Sequence, residues 1–107
     1  MNVTFTKNGE LLTASLCGEI DHHTASDMRM HIDSEIESLL PKSLILDFSE
    51  VQFMDSSGIG LILGRKRLIE SMGGGLYIKN TGPQIRKIIS VAGLEALIIS
   101  EKPKGRE

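Results

Sequence analysis

Short apolar segments alternate with amphipathic segments along the chain from Ser43 onward. The short segments have the length and apolar content of buried strands, and the first of them is predicted to be buried on both faces. They are 43–48, 76–79 and 97–100. The amphipathic segments between them, 57–72 and the one that opens near Pro83, are predicted to be helices. This alternation favours parallel strands that are joined by right-handed helical crossovers.

The first part of the chain predicts an antiparallel hairpin. Apolar and polar residues alternate over 3–6, and a second apolar run extends from Leu11 to Cys17. Asn8-Gly9 lies between the two runs, and both residues tolerate the positive φ angles of a type I′ turn. Cys17 is interpreted as a small apolar residue that fills space in the second strand.

A helix is predicted to follow the hairpin. Thr24 and Asp27 form a variant of the capping box, so the helix is predicted to start at Thr24 and to end at Pro41. Its apolar residues recur at spacings of three and four and are expected to face the core: Met28, Ile32, Ile36, Leu39 and Leu40. The complete prediction is one α/β domain over 1–100, with a mixed sheet and three to four helices. A polar tail at 101–107 is predicted to be disordered.

The composition favours a globular domain without nucleic-acid or membrane partners. The 107 residues carry a formal net charge of -2, whereas nucleic-acid-binding domains are usually basic. The single cysteine excludes an internal disulfide and suits a reducing compartment. No apolar run approaches the ~20 residues of a membrane span, and the first residues lack the pattern of a signal peptide. We therefore expect a cytoplasmic protein that is a monomer when free.

The sequence Asp-Ser-Ser-Gly at 55–58 separates the strand at 43–48 from the second helix. Open α/β sheets commonly place ligand sites at such a turn. Ser56 or Ser57 is predicted to cap the helix, and Met54 before them is expected to be exposed. Three roles fit a serine in this place: a catalytic nucleophile, a member of a phosphate-binding loop, or a substrate of another protein.

The first two roles lack parts of their motifs. Asp55 occupies the position of the first glycine in a nucleophile elbow, and no acid is clearly placed to orient a histidine towards Ser57. A Walker loop is absent, and Gly58, Gly60 and Gly64 are spaced one residue off the dinucleotide-binding fingerprint. A serine hydrolase and a weak nucleotide-binding module stay open as alternatives.

The second helix contains more glycine than helix formation alone would favour, since each glycine costs up to ~1 kcal/mol relative to alanine. Gly60 and Gly64 share one face, and a close approach by the protein's own sheet or by another protein is predicted there. The residues expected to face the core are Ile59, Ile62, Leu63 and Ile69.

The third role, in which the serine is a substrate of another protein, agrees with the electrostatics of the turn. A phosphoryl group on Ser57 would meet free backbone N–H groups and the positive end of the helix dipole. It would also add about two negative charges beside Asp55 and beside bare, glycine-lined backbone. The modification would therefore repel a docked partner without unfolding the domain.

Three segments resemble the STAS-domain anti-sigma factor antagonists, and within that family the sporulation group that acts on the anti-sigma F factor. These segments are GEIDHHTA at 18–25, FMDSSGIGLILGR at 53–65 and SVAGLEALI at 90–98. The resemblance implies that the unmodified chain binds an anti-sigma factor that is also a serine kinase, and so frees the sigma factor. The kinase, which holds the ATP or ADP, would phosphorylate Ser57, and a separate serine phosphatase would reverse this. The chain itself would be no enzyme and would need no cofactor.

The resemblance also implies which residues form the site. Asp55, Ser56 and Gly58 surround the phosphorylated serine, and Asp21 is implied to contact the partner. His22 and His23 are interpreted as part of the same contact loop, because adjacent histidines without further ligands are weak support for a metal site. Gly60 and Arg65 are predicted to belong to the partner-binding surface. Arg65 begins a basic run at 65–67 that predicts either a solvated helix face or a patch for an acidic partner.

Overall fold

The computed structural model describes residues 2–99, which form a four-stranded mixed sheet and three α-helices. The strands are β1 (Val3–Asn8), β2 (Leu11–Ile20), β3 (Ser43–Met54) and β4 (Gly75–Lys79). The helices are α1 (His22–Leu39), α2 (Ser57–Ser71) and α3 (Pro83–Val91), and a 3₁₀ turn follows at Glu95–Leu97. The sheet order is β1-β2-β3-β4, in which β1 and β2 are antiparallel and the other neighbours are parallel. The predicted α/β fold with a mixed sheet is confirmed.

The hairpin between β1 and β2 closes through Gly9 and Glu10, because Asn8 pairs with Leu11 in the ladder. Gly9 has a φ of 63°, and Glu10 is not among the residues with positive φ. A positive φ at the first turn position alone is what a type II′ turn requires, and glycine supplies it without strain. The hairpin is confirmed, but the type I′ turn at Asn8-Gly9 is wrong.

Within residues 2–99, helices cover only one face of the sheet. Leu44 pairs with Leu12 of β2 and with Leu76 of β4, and all three side chains are buried. At the next position Ile45 pairs with Tyr77, which is 42% exposed. Successive strand residues point to opposite faces, so the helices pack on the face that carries the leucines. The prediction that 43–48 is buried on both faces is therefore wrong.

The helices fill the covered side of the sheet with aliphatic side chains. Those fully or almost fully buried are Met28, Ile32 and Ile36 of α1, Leu61, Ile62 and Ile69 of α2, and Ile85 and Ile89 of α3. Leu39 and Leu40, predicted to join this core, are exposed, because the helix ends there and Leu40 adopts a left-handed φ of 50° at the C-cap. Leu63 is also exposed, contrary to its predicted orientation.

Two further predictions about the strands are wrong. The segment 97–100 forms no strand within the described residues: Leu97 ends the 3₁₀ turn, and Ile98 makes a single parallel bridge with Ile78. Cys17 is exposed, because it follows the buried Leu16 and therefore points to the opposite, open face of β2. Ser100 and the predicted tail lie outside the described residues. Within residues 2–99 no helix has both the length and the apolar content that crossing a bilayer needs.

Candidate functional site: the Ser57 turn and the cleft between α1 and α2

The parallel pairing of β2 with β3 brings two loops together at one edge of the sheet. Ile20 and Met54 pair at the carboxyl ends of these strands, and the Asp55 N–H donates to the Ile20 carbonyl over 3.1 Å. Each strand then turns directly into a helix, α1 after Asp21 and α2 after Ser56. Because parallel strands end at the same edge of a sheet, this register places residues 21–23 beside the 55–58 turn.

Asp21 caps the first helix. Its Oδ1 accepts from the Thr24 backbone N–H over 3.0 Å, and the Thr24 hydroxyl accepts from the Asp21 N–H over 2.8 Å. These two bonds form a reciprocal capping box, so α1 begins at His22 and not at Thr24, and Asp27 is not its partner. The backbone N–H of Thr24 holds the pKa of Asp21 below its usual value. Asp21 is therefore a charged, fixed group beside the turn.

Asp55, and not a serine, provides the side chain that bonds to the first N–H of α2. Its Oδ1 accepts from the Ser57 N–H over 2.8 Å, while Ser56 occupies the N-cap position without a capping bond from its side chain. Ser56 is thus the N-cap residue of α2, as predicted, but the predicted bond to its hydroxyl is not formed, because Asp55 already accepts the first N–H of the helix. No side-chain hydrogen bond among residues 2–99 involves the hydroxyl of Ser57, and this residue is half-buried at the start of the helix.

Gly58 lies against the side chain of Met54. A Cβ at position 58 would overlap the Met54 sulfur and Cγ, so this turn accepts a methionine below it only because residue 58 has no side chain. Met54 is fully buried, which contradicts its predicted exposure. The cause is that β3 continues to residue 54, six residues beyond the predicted end at 48, and carries Met54 into the core.

A cleft of about 300 Å³ opens between α1 and α2, directly beside the turn. Its lining residues are His22, Ala25, Ser26, Arg29, Ser57, Gly60, Leu61 and Arg65. Gly60 faces this open space, since a Cβ placed there would meet no atom within 4 Å. Of the two alternatives predicted for the face of Gly60 and Gly64, a close approach by the protein's own sheet is therefore wrong, and an approach by another protein stays a prediction.

Arg65 forms one wall of the cleft and is only 5% exposed. Its Nε lies 2.7 Å from Oδ1 of Asp33, and its Nη1 donates to the Leu61 carbonyl over 3.2 Å. Burial lowers the pKa of Arg65, the charge of Asp33 opposes this, and the charge of Arg29 adds to the lowering. Arg65 is thus no part of a solvated basic face, although its neighbours Lys66 and Arg67 lie nearer the solvent.

The structure assembles most of the predicted site and adds residues that the sequence reasoning missed. Ser57, His22, Gly60 and Arg65 line one cleft, whereas the exposed His23 borders a separate depression. The missed residues are Leu61 of α2 and three residues of α1, namely Ala25, Ser26 and Arg29. The three residues of α1 recur with His22 at spacings of three and four, so the helix face shared with His22 was a signal that could have identified them. Residues 2–99 contain no group of three or more side chains suited to hold a metal ion.

Known proteins resemble the chain in both sequence and fold. The model of the STAS domain family matches residues 2–104. The anti-sigma F factor antagonist of Paenibacillus polymyxa is 38% identical over 78% of this chain and 72% of its own length. The corresponding antagonist of Lysinibacillus sphaericus is 36% identical over 79% of this chain and 73% of its own length. The solved structure of the unphosphorylated anti-sigma factor antagonist SpoIIAA superposes with a TM-score of 0.84, at 31% identity and over 95% of this chain and 90% of that one.

Proposed function

The chain belongs to the STAS domain family, and we propose that it is an anti-sigma factor antagonist that phosphorylation of Ser57 switches off. Its unmodified form binds an anti-sigma factor that is also a serine kinase, and this binding releases the sigma factor. The kinase then phosphorylates Ser57 with ATP, the complex separates, and a serine phosphatase restores the free hydroxyl. The chain acts in the cytoplasm and catalyses nothing itself. The names of the relatives and the existence of a solved phosphorylated SpoIIAA support this proposal.

The observation that carries the proposal is the state of Ser57. Its backbone is fixed by Asp55, whereas no side-chain hydrogen bond among residues 2–99 occupies its hydroxyl, which lies at the mouth of the cleft. A hydroxyl that is held in place and has no internal partner suits a kinase. The Ser57 Oγ attacks the γ-phosphorus of ATP, the bond from that phosphorus to the bridging oxygen breaks, and ADP leaves. The hydroxyl proton passes to a base of the kinase.

The modification blocks binding by charge and not by unfolding. The phosphate adds about two negative charges next to the carboxylates of Asp55 and Asp21. Neither the backbone bond from Asp55 to Ile20 nor the bond from Ser57 to Asp55 depends on the Ser57 hydroxyl, so the turn keeps its shape. A partner that docks its own acidic or apolar groups over this surface meets a new negative charge.

An exposed apolar groove next to the turn extends the surface on which we place the anti-sigma factor. It lies between α2 and α3 and is lined by Ser56, Ile59, Lys87, Ile88, Val91 and Ala92. Val91 is 80% exposed and lies beside Ile59 and Ile88 in this groove, so the apolar surface is contiguous. Because Ser56 belongs both to this groove and to the turn, a partner that reaches Ser57 also covers the groove.

Two other functions share the same serine. The second candidate is nucleotide binding by the chain itself, which the two cations of the cleft, Arg29 and Arg65, favour. A low-micromolar affinity for ATP or GTP would support it. A serine hydrolase is the third, since His22 lines the cleft with Ser57, and labelling of Ser57 by a fluorophosphonate would support it. The named relatives are regulators, which favours the antagonist over both.

The test uses Ser57→Ala, Ser57→Asp and the neighbouring control Ser56→Ala. Each variant is immobilised and incubated with a lysate of the source organism in the presence of ATP or ADP, and retained proteins are identified by mass spectrometry. We expect Ser57→Ala and Ser56→Ala to retain one protein with serine kinase activity that Ser57→Asp does not retain. Phosphate should be transferred to the Ser56→Ala protein and not to Ser57→Ala. Equal retention by all three variants would refute the switch.

A further inference from the structure

We propose that the phosphate on Ser57 is bound within the chain itself, in the cleft between α1 and α2, with Arg29 as its principal cation. This rests on the proposed function only in assuming that Ser57 is the residue that becomes phosphorylated. The phosphate is then not simply a charge that repels the partner. It is the ligand of a preformed anion site on the same chain.

The geometry of the cleft suits a phosphoryl group. Ser57 lies at its edge, and the facing wall presents Ser26 and Arg29 from one side of α1. The cleft measures about 300 Å³. This is several times the ~30 Å³ share of one water, so four additional heavy atoms fit without displacing side chains. The absent side chain of Gly60 leaves the path from Ser57 to Arg29 open.

The charges of the cleft are unbalanced in favour of an anion. Arg65 is paired with Asp33, but none of the ion pairs within residues 2–99 involves Arg29. Arg29 is also close enough to Arg65 to disfavour its protonated form, after the larger effect of burial. A dianion between the two guanidinium groups would relieve this repulsion and would give Arg29 the partner it lacks in the unmodified protein.

The other charged groups around Ser57 direct the phosphate towards the cleft. Asp55 accepts from the Ser57 N–H, and Asp21 lies at the cap of α1, so both carboxylates repel a phosphate that turns outward to the loops. The first three N–H groups of α2 are already bonded to Asp55 and Ser56, so α2 favours an anion near Ser57 only through its dipole. Repulsion on one side and attraction on the other give the phosphate one favourable direction.

The experiment installs phosphoserine at position 57 by genetic encoding, so that no kinase is needed, and follows the phosphate by ³¹P NMR between about pH 4 and pH 8. A neighbouring cation favours the dianion, so we expect the second pKa of the phosphate to lie about half a unit or more below that of an unfolded phosphopeptide of residues 53–61. Arg29→Gln should remove most of this shift, and Arg67→Gln, an exposed cation on α2 outside the cleft lining, should leave it unchanged.

A second protein with phosphoserine at position 56 separates the cleft from the helix dipole. Ser56 sits at the same helix end but lines the other groove, so Arg29→Gln should not alter its phosphate pKa. The proposal is overturned if position 57 titrates like the peptide, or if Arg29→Gln leaves its shift in place. If Arg29→Gln fails to fold, the two phosphoserine proteins decide without it: a phosphate pKa at position 57 that is no lower than the one at position 56, which shares the helix dipole, overturns the proposal. Loss of the kinase partnership would leave the titration as it is, so the two proposals fail separately.

Discussion

The guanidinium Nε of Arg65 lies 2.7 Å from a carboxylate oxygen of Asp33, and this ion pair joins α2 to α1 at the wall of the cleft. The side chain of Arg65 is 7% exposed and that of Asp33 is 26% exposed, so the pair is shielded on the arginine side and reached by water on the other. The two helices therefore keep a fixed spacing, which in turn fixes the width of the cleft beside Ser57.

Removal of Arg65 should destabilise the fold. Arg65→Met keeps most of the buried aliphatic stem but leaves Asp33 without its cation, and we expect a loss of about 1–3 kcal/mol in the free energy of unfolding. Urea denaturation followed by circular dichroism measures this loss. Lys66→Met is the matched control, because it removes an exposed pair with Glu70 and should cost no more than ~0.5 kcal/mol. Equal losses in the two variants would contradict a structural role for the Arg65 pair.

The two glycines of the turn and the cleft should respond in opposite directions to alanine. Gly58→Ala places a Cβ against buried Met54 and should destabilise the protein by about 1–3 kcal/mol. Gly60→Ala meets open space and should stabilise α2 by up to ~1 kcal/mol, through helix propensity alone. Thermal melts of both variants check the expected signs. If Met54→Ala does not reduce the cost of Gly58→Ala, the close contact is not its cause.

A large side chain at Gly60 should separate binding from stability. Gly60→Leu fills the cleft beside Ser57 without touching the core, so we expect weaker binding to the anti-sigma factor at a melting temperature that is unchanged or raised by the better helix propensity of leucine. Isothermal titration with the captured partner measures the affinity. Leu63→Ala, an exposed position outside the cleft lining, serves as the control for changes on α2 in general. An affinity that Gly60→Leu does not lower would place the partner away from the cleft.

Lowering the pH should destabilise the first turn of α1, because it protonates the capping carboxylate of Asp21. The hydrogen bond from the Thr24 N–H depresses the pKa of Asp21 below its ordinary value of 3.8. The carboxylate therefore stabilises the fold above the unfolded-state pKa, and this contribution is lost as the pH falls through the lower, folded-state pKa. Asp21→Asn, which keeps an oxygen for the cap but does not titrate, should flatten the fall in melting temperature between about pH 5 and about pH 2. If the melting temperature of Asp21→Asn falls with pH as steeply as that of the unaltered chain, Asp21 is not the source of this pH dependence.

The parts of the fold that depend on short-range patterns could be predicted from the sequence. Asn8-Gly9 identified the hairpin, Pro83 the start of α3, and the alternation after Ser43 the parallel strands. The errors arose where a tertiary contact outweighs a local signal. β3 extends to Met54 because its end pairs with β2, and 97–100 makes only one bridge, at Ile98, despite its apolar sequence. Neither outcome is encoded in the segment alone.

The sequence predicted which serine lies at the candidate site but not which residues surround it. The motif identified Ser57 and Asp55, yet the cap of α2 went to the aspartate, because a carboxylate in the turn reaches the Ser57 N–H first. Arg65 appeared as one member of an exposed basic run, whereas the packing of α1 against α2 buries it beside Asp33. Arg29 was missed because its place in the cleft lining depends on how α1 packs against α2, and a single sequence does not contain that information.

The bond from the Asp55 N–H to the Ile20 carbonyl links the two loops of the site before any partner arrives. A surface assembled in advance in this way loses little conformational entropy on docking. The encounter itself, and not a folding or closing step, would then limit the rate of association. Amide hydrogen exchange at Asp55 should accordingly be slow in the free protein and hardly slower in the complex, which marks an epitope that is recognised and released as a rigid unit.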